Sequence, residues 1–553
     1  MSSPSIYRNR RYMGEGTRNY RPGGFHPVHL GDVLDGRYHI FRKLGSGSQS
    51  TVWLARDSSK QERQYVALKI FEADAGMHQE KVDQWITQDQ TPHPGVKFVE
   101  SPSLGSFTVT GPNGRHYCKV LEPLGGSLST VLDEAYERRE ELNECPPAQM
   151  KAQKGDGWLT APAKTICWQV LSGLSFLHSR QVAHRDIRPT NVFTALQYDL
   201  SSMHENEIQK SVWATDDVQN EEEDDESNEE KDDNDDDDQD DDDDDDDDDD
   251  GDDDNDESGD ESTISDPEER LRREQEEEED RKWLEGFQQR RQKYVEFEAI
   301  VNAKWETFGR GDPLAVPHSE EWNKANLIGT RNDIEMLIRE DDKDPEPGEL
   351  QYTVRRTALQ EQLDLSKPFR VVLGDLGFAF PFAQCGKHPI ATEHVYRPPE
   401  DLLDLEITYK ADIFSAGLFC WKVVMLDELI QMLSGGGPGY TPSRQLHDLA
   451  RRLGPIPSEM RANWKQADAY IDKAGNPLDL SEQEKSIYDR SFGEESFQWG
   501  DIWHRARIQK PYDMPESDME VFVDLILKML QWDPQKRPEA KDLLQHEWFK
   551  GCQ

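Results

Sequence analysis

Four short stretches of this 553-residue chain carry the side chains that phosphoryl-transfer chemistry uses. "HRDIRPTN" (184–191) sets Asp186 five residues before Asn191, with a proline between them. An aspartate so placed can accept a hydroxyl proton and orient the nucleophile, and the asparagine amide oxygen can ligate a divalent cation. A polar surface loop capped by its own Asp and Asn is the bland alternative; the apolar helical pattern just before the loop weighs against it. "VVLGDLGFAF" (371–380) presents Asp375 at a tight turn after a short apolar strand. A carboxylate there suits Mg2+, which takes few protein ligands and keeps its waters and phosphates. "LGSGSQSTVW" (44–53) puts Gly45 and Gly47 in a turn between two predicted strands, where backbone N–H groups can approach phosphate oxygens. Taken alone, such a turn is more often an ordinary hairpin. The "VALK" run ending at Lys69 changes that reading, because its ammonium emerges from a strand beneath the loop rather than from a solvated edge.

The elements that must position these groups follow from pattern. "RYHIFRKLG", "STVWLARD" and "QYVALKIF" read as strands, rich in β-branched and aromatic residues between turn signals. "KTICWQVLSGLSFLHS" repeats apolar residues at three and four and predicts a helix; "SDMEVFVDLILKMLQW" and "EAKDLLQHEWF" are helix-like. The apolar run "ADIFSAGLFCWKVVML" is too short and interrupted to span a bilayer and predicts a buried helix. Residues 1–30, rich in Arg, Gly and Pro, read as a flexible arm.

Charge divides the chain. The net charge is −48, yet residues 194–366 hold 63 acidic and 18 basic side chains, leaving 49 acidic and 46 basic for the other 380 residues. One polyanion interrupts a nearly neutral protein. The neutral body argues against a general nucleic-acid binder, which needs a basic footprint, and the polyanion points to basic partners or to solvent alone. Residues 215–262 are expected to be disordered, since adjacent carboxylates repel and little is apolar. Over 266–306 a charged helix is predicted, opening at Asp266–Pro267, with Trp283, Phe287, Tyr294, Val301 and Trp305 forming an apolar stripe. Because loop-closure entropy grows only logarithmically, an insert of this length between two halves of one site is tolerable. The cysteines Cys118, Cys145, Cys167, Cys385, Cys420 and Cys552 are scattered without a C-x-x-C pair, and the N-terminus lacks an apolar signal core. A soluble intracellular protein in a reducing compartment, cytoplasmic or nuclear, monomeric and without a membrane partner, is expected.

In chain order, "GSGSQSTV", "VALK", "HRDIRPTN", "DLG", "YRPPE" and "YKADIFSAG" resemble the signature set of eukaryotic protein kinases. "GGFHPVHLGDVLDGRYHIFRKLGSGSQSTVWLARD" and the late "RQLHDLARRLGPIP" resemble the SR-protein kinases, which also split the kinase fold with a long spacer after the catalytic loop. The resemblance implies an α+β fold with a mainly β small lobe and a mainly α large lobe. Its parts would be 36–193 and 368–549, around an acidic spacer at 194–367. It implies ATP and Mg2+ as cofactors and protein substrates of Arg-rich or Arg-Ser type. Leu44, Gly45, Ser46, Gly47, Ser48, Gln49, Ser50, Thr51 and Val52 would cover the ATP phosphates, and Lys69 would bind the α and β phosphates. Ala67, Glu122, Leu124 and Phe193 would complete the nucleotide site, with Glu122 and Leu124 offering hinge backbone groups. Asp186 would be the catalytic base, assisted by the cationic Arg188, with Asn191 and Asp375 the metal ligands. Glu400 would pair with Arg537, and Asp412 would hold the catalytic loop. The family is regarded as active without activation-loop phosphate, so Arg185 is expected to bond carbonyls or a neighbouring side chain.

The chain also departs from the pattern. Arg188 stands where a lysine is usual, Glu393 beside Thr392 where a Ser or Thr is usual, and Gln84 where a helix glutamate should meet Lys69; Glu80, one turn earlier, could substitute. A serine/threonine protein kinase is therefore weighed against a pseudokinase scaffold, and against an acidic chaperone-like binder of basic proteins acting through the aspartate tract.

Overall fold

The β-branched runs of the first half pair into one antiparallel sheet in the order β1-β2-β3-β4-β6-β5. Its strands are β1 Val33–Leu34, β2 Tyr38–Ser46, β3 Ser50–Asp57, β4 Tyr65–Phe71, β5 Ser106–Gly111 and β6 Gly114–Leu121. The computed structural model describes residues 15, 19–60, 62–100, 104–144, 158–203, 208, 213–214, 334–336, 348–350, 352–354, 357–359, 363–388, 390–430, 441–479 and 501–552. The expected disorder of 215–262 and the expected helix over 266–306 lie outside the described residues. Two register shifts in β2, at Ile40/Arg42 and Lys43/Gly45, re-aim the strand where it enters the glycine turn. Strand β4 is buried along its whole length, so Lys69 leaves a packed strand rather than an edge. Helix α1 (Ala73–Thr87) turns Gly76, Gln79, Val82, Asp83 and Ile86 inward at helical spacing.

The rest of the fold is mainly helical: α2 Leu128–Glu144, α3 Thr160–Ser179, α4 Ala411–Met425, α5 Pro442–Leu453, α6 Ile502–Gln509 and α7 Glu516–Met529. Helix α4, read from its apolar run as a buried helix, is buried everywhere except at Lys422. Its Phe414, Phe419 and Trp421 lie in one continuous core with α3 and α7, each burial contributing ~1.5–3 kcal/mol. The terminal "EAKDLLQHEWF" breaks into a helical turn, Ala540–Leu543, and a 3-10 turn, Glu547–Phe549, instead of one helix. Among the described residues no helix is long and apolar enough to cross a membrane.

Short strands complete the fold, and two of their pairings join the halves that the acidic insert separates. They are β7 Leu124–Ser127, β8 Val182–Ala183, β9 Val192–Ala195, β10 Trp213–Ala214, β11 Ile334–Met336, β12 Tyr352–Val354, β13 Thr357–Ala358, β14 Val371–Leu373 and β15 Phe380–Pro381. Strand β14 pairs antiparallel with β9, setting Leu373 opposite Val192 and Val371 opposite Thr194, and β15 pairs with β8. The pair β10–β13 joins the two ends of the spacer, and β11–β12 lies within its far end.

One expectation is corrected. From Asn19 onward the N-terminal stretch is packed, not a free arm: Tyr20, Phe25, Val28 and Leu30 are buried. The Asn113 side chain donates to the Phe25 carbonyl at 2.7 Å, and Ala73 N–H donates to the Gly24 carbonyl at 3.0 Å. Glycine is required at Gly24, where a Cβ would fall 1.9 Å from the Asn19 carbonyl oxygen. Residues from both ends of the spacer are packed: Leu200, Ile208 and Leu359 cluster with Phe41, Leu54 and Tyr65 of the sheet. Arg42 donates to the Ile208 carbonyl and Tyr65 to that of Met203. In both places a few apolar residues inside polar sequence found sheet surface to cover, which composition averages conceal.

Candidate active site

The catalytic loop follows β8 and is held chiefly by one carboxylate. Asp412, at the start of α4, accepts backbone N–H groups from His184 and Arg185 at 2.8 Å each and lies 3.0 Å from His178 Nε2. Burial alone would raise its pKa, but His178, His184 and these N–H donors hold it below the ordinary carboxylate value. Within the loop, Asn191 Nδ2 donates to the Asp186 carbonyl at 2.9 Å and to its carboxylate at 2.7 Å. The Asp186 N–H donates to His184 Nδ1 at 3.2 Å, which places the imidazole proton on Nε2, 2.9 Å from the Gly374 carbonyl it must therefore donate to. Gly374 N–H in turn donates to the Asn191 carbonyl at 2.8 Å. These reciprocal bonds, continued by the β14–β9 pairing, bring Asn191 and Asp375 to one place across the insert.

Asp375 sits in the left-handed region, φ 55°, at the end of β14, and its side chain is partly open to solvent. Asp186 is buried, and burial raises its pKa against the opposing pull of Arg188 and His184. Arg188 Nε lies 3.5 Å from Asp186, and its Nη1 lies 3.5 Å from Glu393. Two departures thus compensate each other in charge.

Across the cleft, Lys69 stands opposite Val52 of β3 and Lys119 of β6. Its ammonium lies 3.1 Å from Glu100 and 3.5 Å from Asp375. Neither expected helix partner reaches it: Gln84 is exposed, and Glu80 pairs with Arg115 at 3.3 Å. In the glycine turn, the Gly47 N–H donates to the Ser50 carbonyl at 2.8 Å, and Thr51 accepts from the Trp53 indole at 3.0 Å. Nothing lies within 4 Å of a Cβ built on Gly45 or Gly47, so open space rather than packing surrounds the turn. Gln49 reaches from the turn over Gly377, whose Cβ would lie 3.0 Å from Gln49 Oε1. Leu44 is half-buried beside Phe41 and Leu54. Ala67 pairs with Leu121 at the sheet's hinge end. Leu124 pairs with Ala195, and the Phe193 ring backs Gly374. Glu122 forms a bidentate pair with Arg370, at 2.8 and 2.6 Å.

The residues fit nucleotide and Mg2+. Asn191 and Asp375 supply hard oxygen donors, Lys69 a cation, and the glycine turn an open cradle. Among the described residues no group of three or more His, Cys, Asp or Glu could hold a metal by itself, as fits an ion that completes its shell with phosphates and water.

Sequence reading missed Glu100, Lys119 and Asp83. Lys119 is fully buried, 2.8 Å from Asp83 and 3.4 Å from Glu100. The findable signal was Asp83 on the inward stripe of α1, one position before Gln84.

Comparison with known proteins agrees with this geometry. The family described as "Protein kinase domain" matches residues 38–201 and 363–549. A Physarum polycephalum protein named "Serine/threonine-protein kinase SRPK" is 36% identical over 182 residues, covering 32% of this chain and 38% of that protein. The human protein named "SRSF protein kinase 3" is 34% identical over 184 residues, covering 32% of this chain and 29% of its own. "Protein kinase dsk1" of Schizosaccharomyces pombe is 33% identical over 192 residues, covering 34% of this chain and 31% of its own. The matched stretch thus spans well under half the length of each of these relatives.

Proposed function

The chain belongs to the protein kinase domain family, and from that premise we propose that it is an ATP- and Mg2+-dependent serine/threonine protein kinase acting on basic, Arg-Ser-rich protein substrates. The observation that carries the reading is the junction of Asp186, Asn191 and Asp375 through the paired bonds of His184, Gly374 and Asn191. In this reading Asp186 takes the proton of the substrate hydroxyl and orients its oxygen. Asn191 and Asp375 would hold the metal, which would supply positive charge beside the transferred phosphoryl group. Lys69 and the glycine turn hold the nucleotide phosphates. Arg188, beside Asp186, keeps a cation near the base. The substrate class rests on the names of the relatives, "SRPK" and "SRSF protein kinase 3".

The pseudokinase alternative has nothing in the comparisons to support it, and Arg188 and Glu393 meet as an ion pair. The aspartate tract, with its concentrated charge, is proposed to retain basic proteins and so adds a partner rather than a rival function. An intracellular location, in cytoplasm or nucleus, goes with that reading. The test is to make the full chain in bacteria and give it Mg-ATP and an Arg-Ser peptide. The wild type is expected to phosphorylate serine, and Asp186→Asn to lose that activity. Equal phosphorylation by the two proteins removes the assignment.

A further inference from the structure

The lysine that must hold the nucleotide is not tied to helix α1. The inward carboxylate of that helix, Asp83, goes to Lys119 at 2.8 Å and accepts from Tyr117 at 2.8 Å. Glu100 lies between the two buried lysines, 3.1 Å from Lys69 and 3.4 Å from Lys119. Signs therefore alternate along one path: Asp83, Lys119, Glu100, Lys69, Asp375. We propose that Glu100, and no residue of α1, is the positioning residue for Lys69, so that the nucleotide-binding lysine is fixed to the strand that presents the metal ligand and not to the helix. The proposal rests on the kinase reading given above.

The backbone around Glu100 explains why. Its N–H donates to the Leu373 carbonyl at 2.9 Å, and Val99 forms a parallel bridge with Leu373. Asp375 N–H donates to the Glu100 carboxylate at 3.2 Å. Lys69 and Asp375 thus share an anchor at the end of β14. Where the lysine's acid sits on the helix, helix displacement releases the lysine, and helix position controls activity. Here such displacement would first break Asp83–Lys119 and leave Lys69–Glu100 whole. Lys119 and Asp83 compensate each other's charge and tie α1 to the sheet; the ion pairs of Lys69 are with Glu100 and Asp375. Charge supports the arrangement: burial would raise the Glu100 pKa, yet Lys69 and Lys119 bring it down to about 2.

Removing Glu100 alone leaves two buried lysines facing each other, so Glu100→Gln could fail to fold. Two charge-balanced double variants avoid that. Glu100→Gln/Lys119→Met takes the partner from Lys69, whereas Asp83→Asn/Lys119→Met leaves the Lys69–Glu100 pair in place. In the full chain each is assayed for nucleotide affinity with Mg2+, by fluorescence titration, and for kcat/KM for ATP, alongside its melting temperature. The first is expected to weaken nucleotide binding about tenfold or more and to lower kcat/KM at least as far, as loss of a partner from a buried charge pair should. The second is expected to stay within about threefold of wild type in both, whatever its melting temperature. Equal losses in the two variants, or no loss in the first, overturn the proposal. If the wild type binds Mg-ATP but phosphorylates nothing, the kinase reading fails while the affinity comparison still decides for or against Glu100. A wild type that binds no nucleotide overturns both.

Discussion

Asp186 and Lys69 face one cleft, but the structure holds them by opposite means. Below the cleft, the loop from His184 to Asn191 is secured by hydrogen bonds that end on backbone groups: two N–H groups on the Asp412 carboxylate, the Asp186 carbonyl under the Asn191 amide, and the Asn191 carbonyl that accepts from Gly374 N–H. Above it, Lys69 is secured by side-chain charges gathered from β4, from β6, from α1 and from the segment ending at Glu100. Hydrogen bonds that end on backbone groups fix the course of the loop, and two of them hang on the single carboxylate of Asp412. A path of buried charges spans distant segments and is sensitive to each member, because an ion left without its partner in the interior is costly. The loop side is thus fixed by hydrogen bonds to its backbone, and the lysine side by paired charges drawn from several segments.

The largest effects should appear where one side chain does what no backbone group can replace. Asp375→Ala removes a metal ligand and one charge beside Lys69, and is expected to lower phosphotransfer by at least about 10² and to weaken Mg-nucleotide binding. Asp186→Asn should lower the rate as far while leaving nucleotide affinity unchanged, since the base touches substrate and not nucleotide. Steady-state kinetics and a nucleotide titration on both variants separate the two roles; a shared loss of affinity would contradict the division drawn here.

Next in size is the architectural ion pair of the large lobe. Arg537 and Glu400 are fully buried and joined by two bonds of 2.7 Å. Arg537 also donates to the carbonyls of Gln531 and Lys410. Arg537→Ala leaves the Glu400 charge without compensation and should cost ~3–5 kcal/mol, read as a lower urea midpoint at unchanged slope. Removing both partners, as Glu400→Gln/Arg537→Met, should cost less. If the double variant is the less stable one, the pair contributes more than compensation of its own charges.

A smaller effect concerns pH. The Asp186 carboxyl is raised, chiefly by burial, with Arg188 as the leading opposing influence. A protonated carboxyl cannot accept the hydroxyl proton, so activity falls as pH drops through this pKa. The acid limb of kcat/KM should lie above the ordinary aspartate range. Arg188→Ala removes the opposing cation and should move that limb to still higher pH; a move to lower pH would mean that Arg188 does not act on the base.

The contrast between the two halves also explains what the sequence disclosed. Asp186, Asn191 and Asp375 were legible because their chemistry demands fixed local spacing, and the apolar run before each supplied the context. The strands around the glycine turn and the buried helix at 411–425 were legible for the same local reason. Glu100 and Lys119 were not. A lysine in "HYCKVL" reads as a strand edge charge, and only the packing of α1 over β6 makes it a buried one. The packed stretch around Phe25, Val28 and Leu30 was hidden by the Arg, Gly and Pro around it, although "GFHPVHL" spaces its apolar residues as a covering segment would.

The smallest expected effect is that of removing phosphate. Residues 376–400 contain one Thr, one Tyr and no Ser. Thr392 is buried and donates to the Arg185 carbonyl at 2.7 Å; Tyr396 is buried and donates to Glu428 at 2.8 Å. Neither hydroxyl is presented to another kinase. Arg185, the side chain that an activating phosphate would bind, donates to the His388 carbonyl and lies 5.4 Å above the Phe380 ring. Phe380 stacks on His388 at 4.0 Å and meets His78 of α1 at 4.5 Å, so aromatic packing links this segment to the helix without added charge. A phosphate orders a mobile loop by giving arginines something to bind; here Arg185 Nη2 already bonds the His388 carbonyl, its Nε and Nη1 are buried without a hydrogen-bond partner, and the loop is packed around them. Protein made in bacteria and treated with phosphatase should keep its activity on an Arg-Ser peptide within about twofold, because no ordering step remains for a phosphate to supply. Activity that disappears with the treatment, or that first requires an upstream kinase, would show that Arg185 and Phe380 hold the segment only after modification.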